Sequence, residues 1–206
     1  MERQKRRFEK FKHHIGDKSV LHLGCVGQNI SPEGSDWMHK LLHDEASTLV
    51  GLDLLVDEIE TLRERGYAVE QGDATDFDFD RDFDVIFAGE LIEHLSNFGG
   101  LLQSVKQNLT SRGKLIITTP NAQAVYYSLQ WIFRKKPPNK YHTCWFDEST
   151  LAHLLSRFGF EPVEVQYAAV TPFPSTPQQL IAYSLEHGLP DSIGCRTLIV
   201  VAEHTD

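Results

Sequence analysis

Apolar and polar positions along the chain alternate between two periods. Short apolar runs occupy 19–23, 48–52, 68–71, 84–88, 113–119, 162–167 and 197–202, and each reads as a strand. Segments with helical spacing lie between them. These are 36–44, with Ser35 or Asp36 as its cap; 56–65, stopped by Gly66; 98–109; the aromatic stretch 122–133; and 147–158, stopped by Gly159. Such alternation predicts a parallel sheet covered by helices and joined by right-handed crossovers. Ahead of the first strand, residues 1–17 read as a helix carrying Phe8, Phe11 and Ile15 on one face. The pattern weakens twice. Residues 134–140 (RKKPPNK) predict a basic, proline-rich loop or lid, and 171–177 (TPFPSTP) cannot lie in a central strand, because proline removes ladder donors.

Composition narrows the class. A chain of 206 residues reads as one domain able to bury a sizeable core, and 41% hydrophobic with 24% charged residues is an ordinary globular balance. The net charge of −9 argues against a nucleic-acid partner, since a non-specific binder needs a basic face. Basic residues gather at the start, where 1–18 hold Arg3, Lys5, Arg6, Arg7, Lys10, Lys12 and Lys18 against three acids. That segment could grip a substrate or a membrane surface. Its three-residue stripe is a weak anchor, which favours packing on the domain. No run approaches the 18 or so apolar residues of a membrane span. No apolar stretch follows the basic start, so a secretory signal is not expected. Cys25, Cys144 and Cys195 form no disulfide or metal framework, and a reducing cytoplasm is the expected location. The sequence sets no oligomeric state.

In open α/β sheets, ligands bind at the carboxyl ends of the strands. Four consecutive strand ends carry suitable residues: the turn Gly24-Cys25-Val26-Gly27, then Asp53, then Gly72-Asp73-Ala74, then Ala88-Gly89-Glu90. A carboxylate at Asp53 can accept ribose hydroxyls, and a ring of carboxylates favours a cationic ligand. A nicotinamide fingerprint (G-x-G-x-x-G) is not present at the first turn.

These segments, VLHLGCVGQ, LVGLD, QGDA, FDVIFAGELIEHL, RGKLIITTPN and FDESTLAHLLSRFGF, resemble class I S-adenosylmethionine-dependent methyltransferases, in particular ubiquinone-biosynthesis O-methyltransferases, from residue 19 to residue 162. The resemblance implies an α/β, Rossmann-like three-layer sandwich with a mostly parallel seven-stranded sheet whose last strand is antiparallel. It implies one domain over 1–206, with 121–146 and 171–196 as the lid and insertion on the substrate side. By the same resemblance, S-adenosylmethionine meets Gly24, Cys25 and Gly27 with its methionine part. Asp53, with Leu54 beside it, takes the ribose. Asp73 and Ala74 read the adenine edge, and Ala88 to Glu90 floor the pocket near the sulfonium. The first turn departs from the family pattern: His22 takes the acidic position, Val26 and Gln28 take later glycine positions, and Gly27 is out of phase.

The run Glu90-Leu91-Ile92-Glu93-His94, read as a helix, puts Glu90, Glu93 and His94 on one face. With His142 these residues match the Glu-x-x-Glu-His and later His of methyltransferases that activate a hydroxyl with a metal, here Mg²⁺ or Mn²⁺. Without a metal, His94 or His142 is placed to act as general base. Other signals carry less. The acidic run from Asp73 to Asp84 fails the calcium-loop pattern, with Arg81 where Gly is required, and reads as a solvated loop with Phe77, Phe79 and Phe83 turned inward. His39 and His43 share a helix face but lack the following Glu of zinc proteases. Tyr126, Tyr127, Trp131 and Phe133 could line an acceptor pocket or belong to the core. The reading is a methyltransferase acting on a small-molecule acceptor, at oxygen of a phenol or sugar type. Its alternatives are an RNA-terminal 2′-O-methyltransferase and a non-catalytic S-adenosylmethionine-binding protein.

Overall fold

A computed structural model describes residues 3–26, 36–132, 139–171 and 174–205. Seven strands form one sheet: β1 (Ser19–Leu23), β2 (Thr48–Asp53), β3 (Val69–Gln71), β4 (Phe83–Gly89), β5 (Leu109–Pro120), β6 (Phe160–Ala168) and β7 (Thr197–His204). Their order is β3-β2-β1-β4-β5-β7-β6. The first five pair in parallel, and β7 runs antiparallel to both β5 and β6. The expected sheet is therefore present, and its last strand is the antiparallel one. Strand order reverses between β1 and β4, which opens a crevice at their carboxyl ends.

Period-two alternation sends successive side chains to opposite faces. Along β4, Ile86 and Ala88 join the layer with Leu101, Leu102 and Val105 of α4 (Phe98–Gln107) and Leu151 and Leu155 of α6 (Glu148–Arg157). Val85 and Phe87 face the other layer, built on α1 (Arg3–Phe11) and α2 (Met38–Glu45). Phe8, Phe11 and Ile15 are all buried there, so the basic N-terminal segment packs on the domain as its stripe predicts, but the α-helix expected over 1–17 ends at Phe11 and gives way to a 3-10 turn at Lys12–His14. The helix α3 (Val56–Glu64) covers the β3 edge through Ile59 and Leu62, against Val69 and Trp37. Each large aliphatic side chain so buried contributes roughly 1.5–3 kcal/mol.

Several boundaries differ from expectation, each for a local reason. The second helix begins at Met38 rather than 36, and Asp36 caps a different helix. Its carboxylate accepts the Gln4 and Lys5 amides at the start of α1, at 3.2 and 2.8 Å. Ser35, the other expected cap, lies outside the described residues. Leu109 opens β5 instead of closing α4, because it pairs with Phe83. The buried Asn108 side chain makes that junction by accepting from Phe79 N and donating to Ser104 O. The aromatic helix α5 (Val125–Ile132) starts three residues late, since Asn121 folds the intervening chain into a turn through Gln123 N and Ala124 N. Residues 171–196 hold two unexpected helices, α7 (Pro177–Gly188) and α8 (Asp191–Gly194); Thr176 caps the first and Pro177 fills its first position. The lid residues 133–138 and Phe133 within them lie outside the described residues.

Candidate cofactor and acceptor site

The turn after β1 is fixed from both sides. Gly24 has φ of 68°, a left-handed conformation that glycine adopts without strain. Its amide donates to Leu52 O at the end of β2. Asp53, the next strand end, holds the same turn through Val26 N, at 2.9 Å from Oδ2. Its Oδ1 accepts the Leu54 and Leu55 amides. A carboxylate has about four acceptor positions. Three are used, so at most one remains for a ligand hydroxyl.

These residues open onto a cavity of about 530 Å³, within the range of small-molecule sites. Gly24, Cys25, Asp53 and Glu90 of the expected cofactor set line it, as do Glu93, His94 and His142. Leu54, Asp73, Ala74 and Ala88 are not among its lining residues; Leu55 and Gly89 are. Asp73 is exposed and spends Oδ1 on its own turn, accepting Thr75 N and Oγ1. Ala88 is fully buried in the core. Gly27 lies outside the described residues.

The segment after β4 is not the expected α-helix. Glu90 has φ of 52°, strained for a residue with a Cβ, and only Ile92–His94 form a short 3-10 turn. Glu90 therefore parts from Glu93 and His94. Its Oε1 lies 2.7 Å from Arg7 Nη1 and its Oε2 3.6 Å from Arg3 Nη2. The three-residue set Glu93, His94 and His142 does converge, with ligand atoms within 4.8 Å of one another. The His94 and His142 rings meet edge to face at 4.8 Å, and Trp145 lies 5.5 Å beyond His142. Thr143 ties this loop down by donating to the Glu93 and Leu95 carbonyls.

Burial sets the charge states. Glu93 is almost wholly buried, which with the nearby Glu90 carboxylate pushes its carboxyl well above the ordinary range. Thr119 donates to Glu93 Oε2, while Oε1 has no hydrogen-bond partner. His142 is held below the usual imidazole range by burial and then by His94, and its Nδ1 is buried without a partner. Burial likewise pushes the Tyr127 phenol up to about 12. Cys25 is pushed higher still by burial and by Asp53, so its thiol is inert.

Sequence reasoning did not place the N-terminal helix in the cofactor site. Arg3, Gln4 and Arg7 of α1 line the cavity. Arg7 is buried; Nη1 faces Glu90 out of line for a hydrogen bond, and Nε has no partner. Its signal was available, because Arg7 precedes Phe11 by four residues and so shares the apolar face. His22 turns out to pair with His39, Nδ1 to Nδ1 at 3.1 Å, both rings buried. Of the four aromatics, Tyr127 lines the cavity and is buried, whereas Trp131 is exposed. Tyr126 lies under the Arg196 guanidinium, 4.7 Å from it.

Residues 5–165 match the family model described as a methyltransferase domain. The chain belongs to this methyltransferase family. It is similar to the ubiquinone biosynthesis O-methyltransferase of Rickettsia conorii, 26% identical over 164 residues that cover 77% of this chain and 51% of that one. It thus spans about half the length of this curated relative. Among solved structures, a S-adenosylmethionine-dependent methyltransferase of Archaeoglobus fulgidus superposes with a TM-score of 0.65 at 19% identity, covering 96% of this chain and 91% of that one. A second is the 1,6-didemethyltoxoflavin-N1-methyltransferase of Burkholderia thailandensis with S-adenosylhomocysteine bound: TM-score 0.62, 19% identity, 98% and 78% covered. The methyltransferase domain thus has the Rossmann-like fold of this class, with the crevice where such folds take their ligands.

Proposed function

We propose that the protein transfers the methyl group of S-adenosylmethionine to an oxygen of a small, phenol- or sugar-type acceptor. The observation that carries this reading is a single cavity lined by two chemically distinct sets of residues, which we take as its two ends. Asp53, Gly24 and Arg7 make up one set, and Glu93, His94 and His142 the other. The first end suits the cofactor. Asp53 has one acceptor position for a ribose hydroxyl, Leu55 offers apolar surface, and the unpartnered Arg7 Nε suits the methionine carboxylate.

The second end suits a hydroxyl acceptor. As the acceptor oxygen bonds to the methyl carbon, the carbon–sulfur bond breaks and its electron pair returns to sulfur. The hydroxyl proton needs a base, and the neutral His142 imidazole, beside His94, provides one. Tyr127 lines the cavity and is packed edge to face against Trp145, with ring centroids 5.0 Å apart, and its ring offers an aromatic surface suited to a phenol. The Rickettsia relative, named an O-methyltransferase, favours oxygen as the acceptor atom. Residues 121–146 and 171–196 would form the acceptor side. They are already joined, because Asn121 donates to Ser192 O and Cys195 O. A divalent cation fits the Glu93, His94 and His142 donors, with the unpartnered Glu93 Oε1 and His142 Nδ1 available; Glu90 is committed to the arginines. When bound, it would act as a Lewis acid that lowers the pKa of the acceptor hydroxyl, with His142 then a ligand in place of the base.

Calorimetric titration with S-adenosylmethionine and with NAD tests the first end. Binding of the former alone is expected, and Asp53→Ala should weaken it by roughly tenfold to a hundredfold, the loss of a hydrogen bond to a charged group. NAD binding without S-adenosylmethionine binding would refute the reading. Turnover on catechol-type acceptors tests the second end. His142→Ala should lower kcat by about 10² or more while cofactor affinity holds. Cofactor binding without turnover on phenol, sugar or short RNA acceptors would instead point to a binding protein.

A further inference from the structure

We propose that His13, His14 and Glu164 form a binding site for a divalent cation of the zinc class, remote from the cavity, that staples the N-terminal helix to β6. The proposal does not depend on the functional reading above. Neighbouring residues in a helical turn normally point apart. Here the short 3-10 turn after α1 brings both imidazoles to the same side, with ring centroids 4.0 Å apart. Both Nε2 atoms approach one carboxylate oxygen, Glu164 Oε2, at 3.5 Å from His13 and 2.8 Å from His14. The three donor atoms lie within 4.8 Å of one another. Ligand atoms about 2.0–2.1 Å from a tetrahedral zinc stand roughly 3.3 Å apart, so closure needs only small movements of the side chains. An ion pair alone would need one imidazole; this arrangement supplies two.

The carboxylate is aimed and held. The β6–β7 register shifts between Pro162 and Glu164, a bulge that re-aims the side chains of the edge strand. The Gln166 amide donates both to Glu164 Oε1 and to Lys10 O, at 2.9 Å for the latter. It therefore joins the carboxylate to α1 and fixes its orientation, the usual task of a group behind a metal ligand. Lys114, a neighbouring cation, is paired with Glu203 at 3.3 Å. Two imidazole nitrogens and one carboxylate oxygen suit zinc and its late first-row neighbours better than magnesium or calcium, and leave a position for water.

Zinc titration of the chelator-treated full chain tests this. The cavity cluster could also take the ion, so stoichiometry is compared across His13→Asn, Glu164→Gln and His142→Asn. His13 is largely exposed, with 59% of its side chain accessible, so His13→Asn should leave the fold intact, as circular dichroism would verify. The expected result is one zinc site that survives in His142→Asn and is weakened by more than about tenfold in both His13→Asn and Glu164→Gln. Wild-type protein that binds no zinc, or a folded His13→Asn that binds it as the wild type does, would overturn the proposal.

Discussion

His22 occupies the position where the family resemblance leads one to expect a carboxylate, and burial decides what it does there. Desolvation, then the neighbouring His39, holds it well below the ordinary imidazole range. His39 is lowered to about 3, first by desolvation and then by His43. Both rings are therefore neutral in the folded protein at pH 7, and one Nδ1–H donates to the other Nδ1. The unfolded chain takes up these protons below about pH 6.5, whereas in the folded chain His39 resists until about pH 3 and burial holds His22 well below its ordinary range. Stability is thus full above pH 6.5 and falls as pH drops through this window, by about 1.4 kcal/mol per pH unit for each buried histidine. Urea unfolding at pH 7, 6 and 5 should show that slope, and His39→Gln should flatten it by about one proton. Identical slopes in the two proteins would contradict the assignment. The sequence shows that His22 replaces an acid. It does not show the partner, because His39 lies 17 residues away on another element.

At the scale of elements, Asp36 and α1 illustrate how a correct residue type can serve a different helix. Asp36 is a good cap by composition, but the chain turns through Trp37 before α2, and the carboxylate reaches the exposed amides of α1 instead. Asp36→Ala should cost about 1 kcal/mol, the usual value of an N-cap. The loss should be concentrated in α1, seen as faster tryptic cleavage between Arg3 and Lys12 in the folded protein. A uniform loss of stability with unchanged cleavage would argue against it. The strands were legible because their apolar runs are short, β-branched and bounded by Gly or Asp. The helix at 147–158 was legible for the same kind of reason, with Asp147 and Thr150 forming its capping box. The helix α7 was not, because its apolar residues give no clean stripe: Leu180 and Ile181 are exposed while Glu186 is buried with Arg196. The Thr176-Pro177 start was its one readable signal.

At the scale of the whole molecule, the N-terminal helix and the segment from Glu90 to His94 both line the cavity. Arg7 bridges the two through Glu90. A ligand in the cavity should therefore slow amide hydrogen exchange in α1 and in residues 90–94 together. With S-adenosylhomocysteine added, protection is expected in those segments and not in α7; protection confined to α7 would refute the arrangement. Sequence alone determined a parallel sheet covered by helices, since periodicity is a local property that survives without neighbours. It also determined which strand ends carry Gly24, Asp53 and Glu90, because the parallel sheet places every strand end on one rim. Only the tertiary structure decided which of these side chains remain free to meet a ligand. Asp53 is three-quarters committed to backbone amides, Glu90 is paired with Arg7, and His22 is silenced by His39. Each of those outcomes involves at least one partner distant in the chain (Val26 for Asp53, Arg7 for Glu90 and His39 for His22), and such a partner is not encoded in the local pattern.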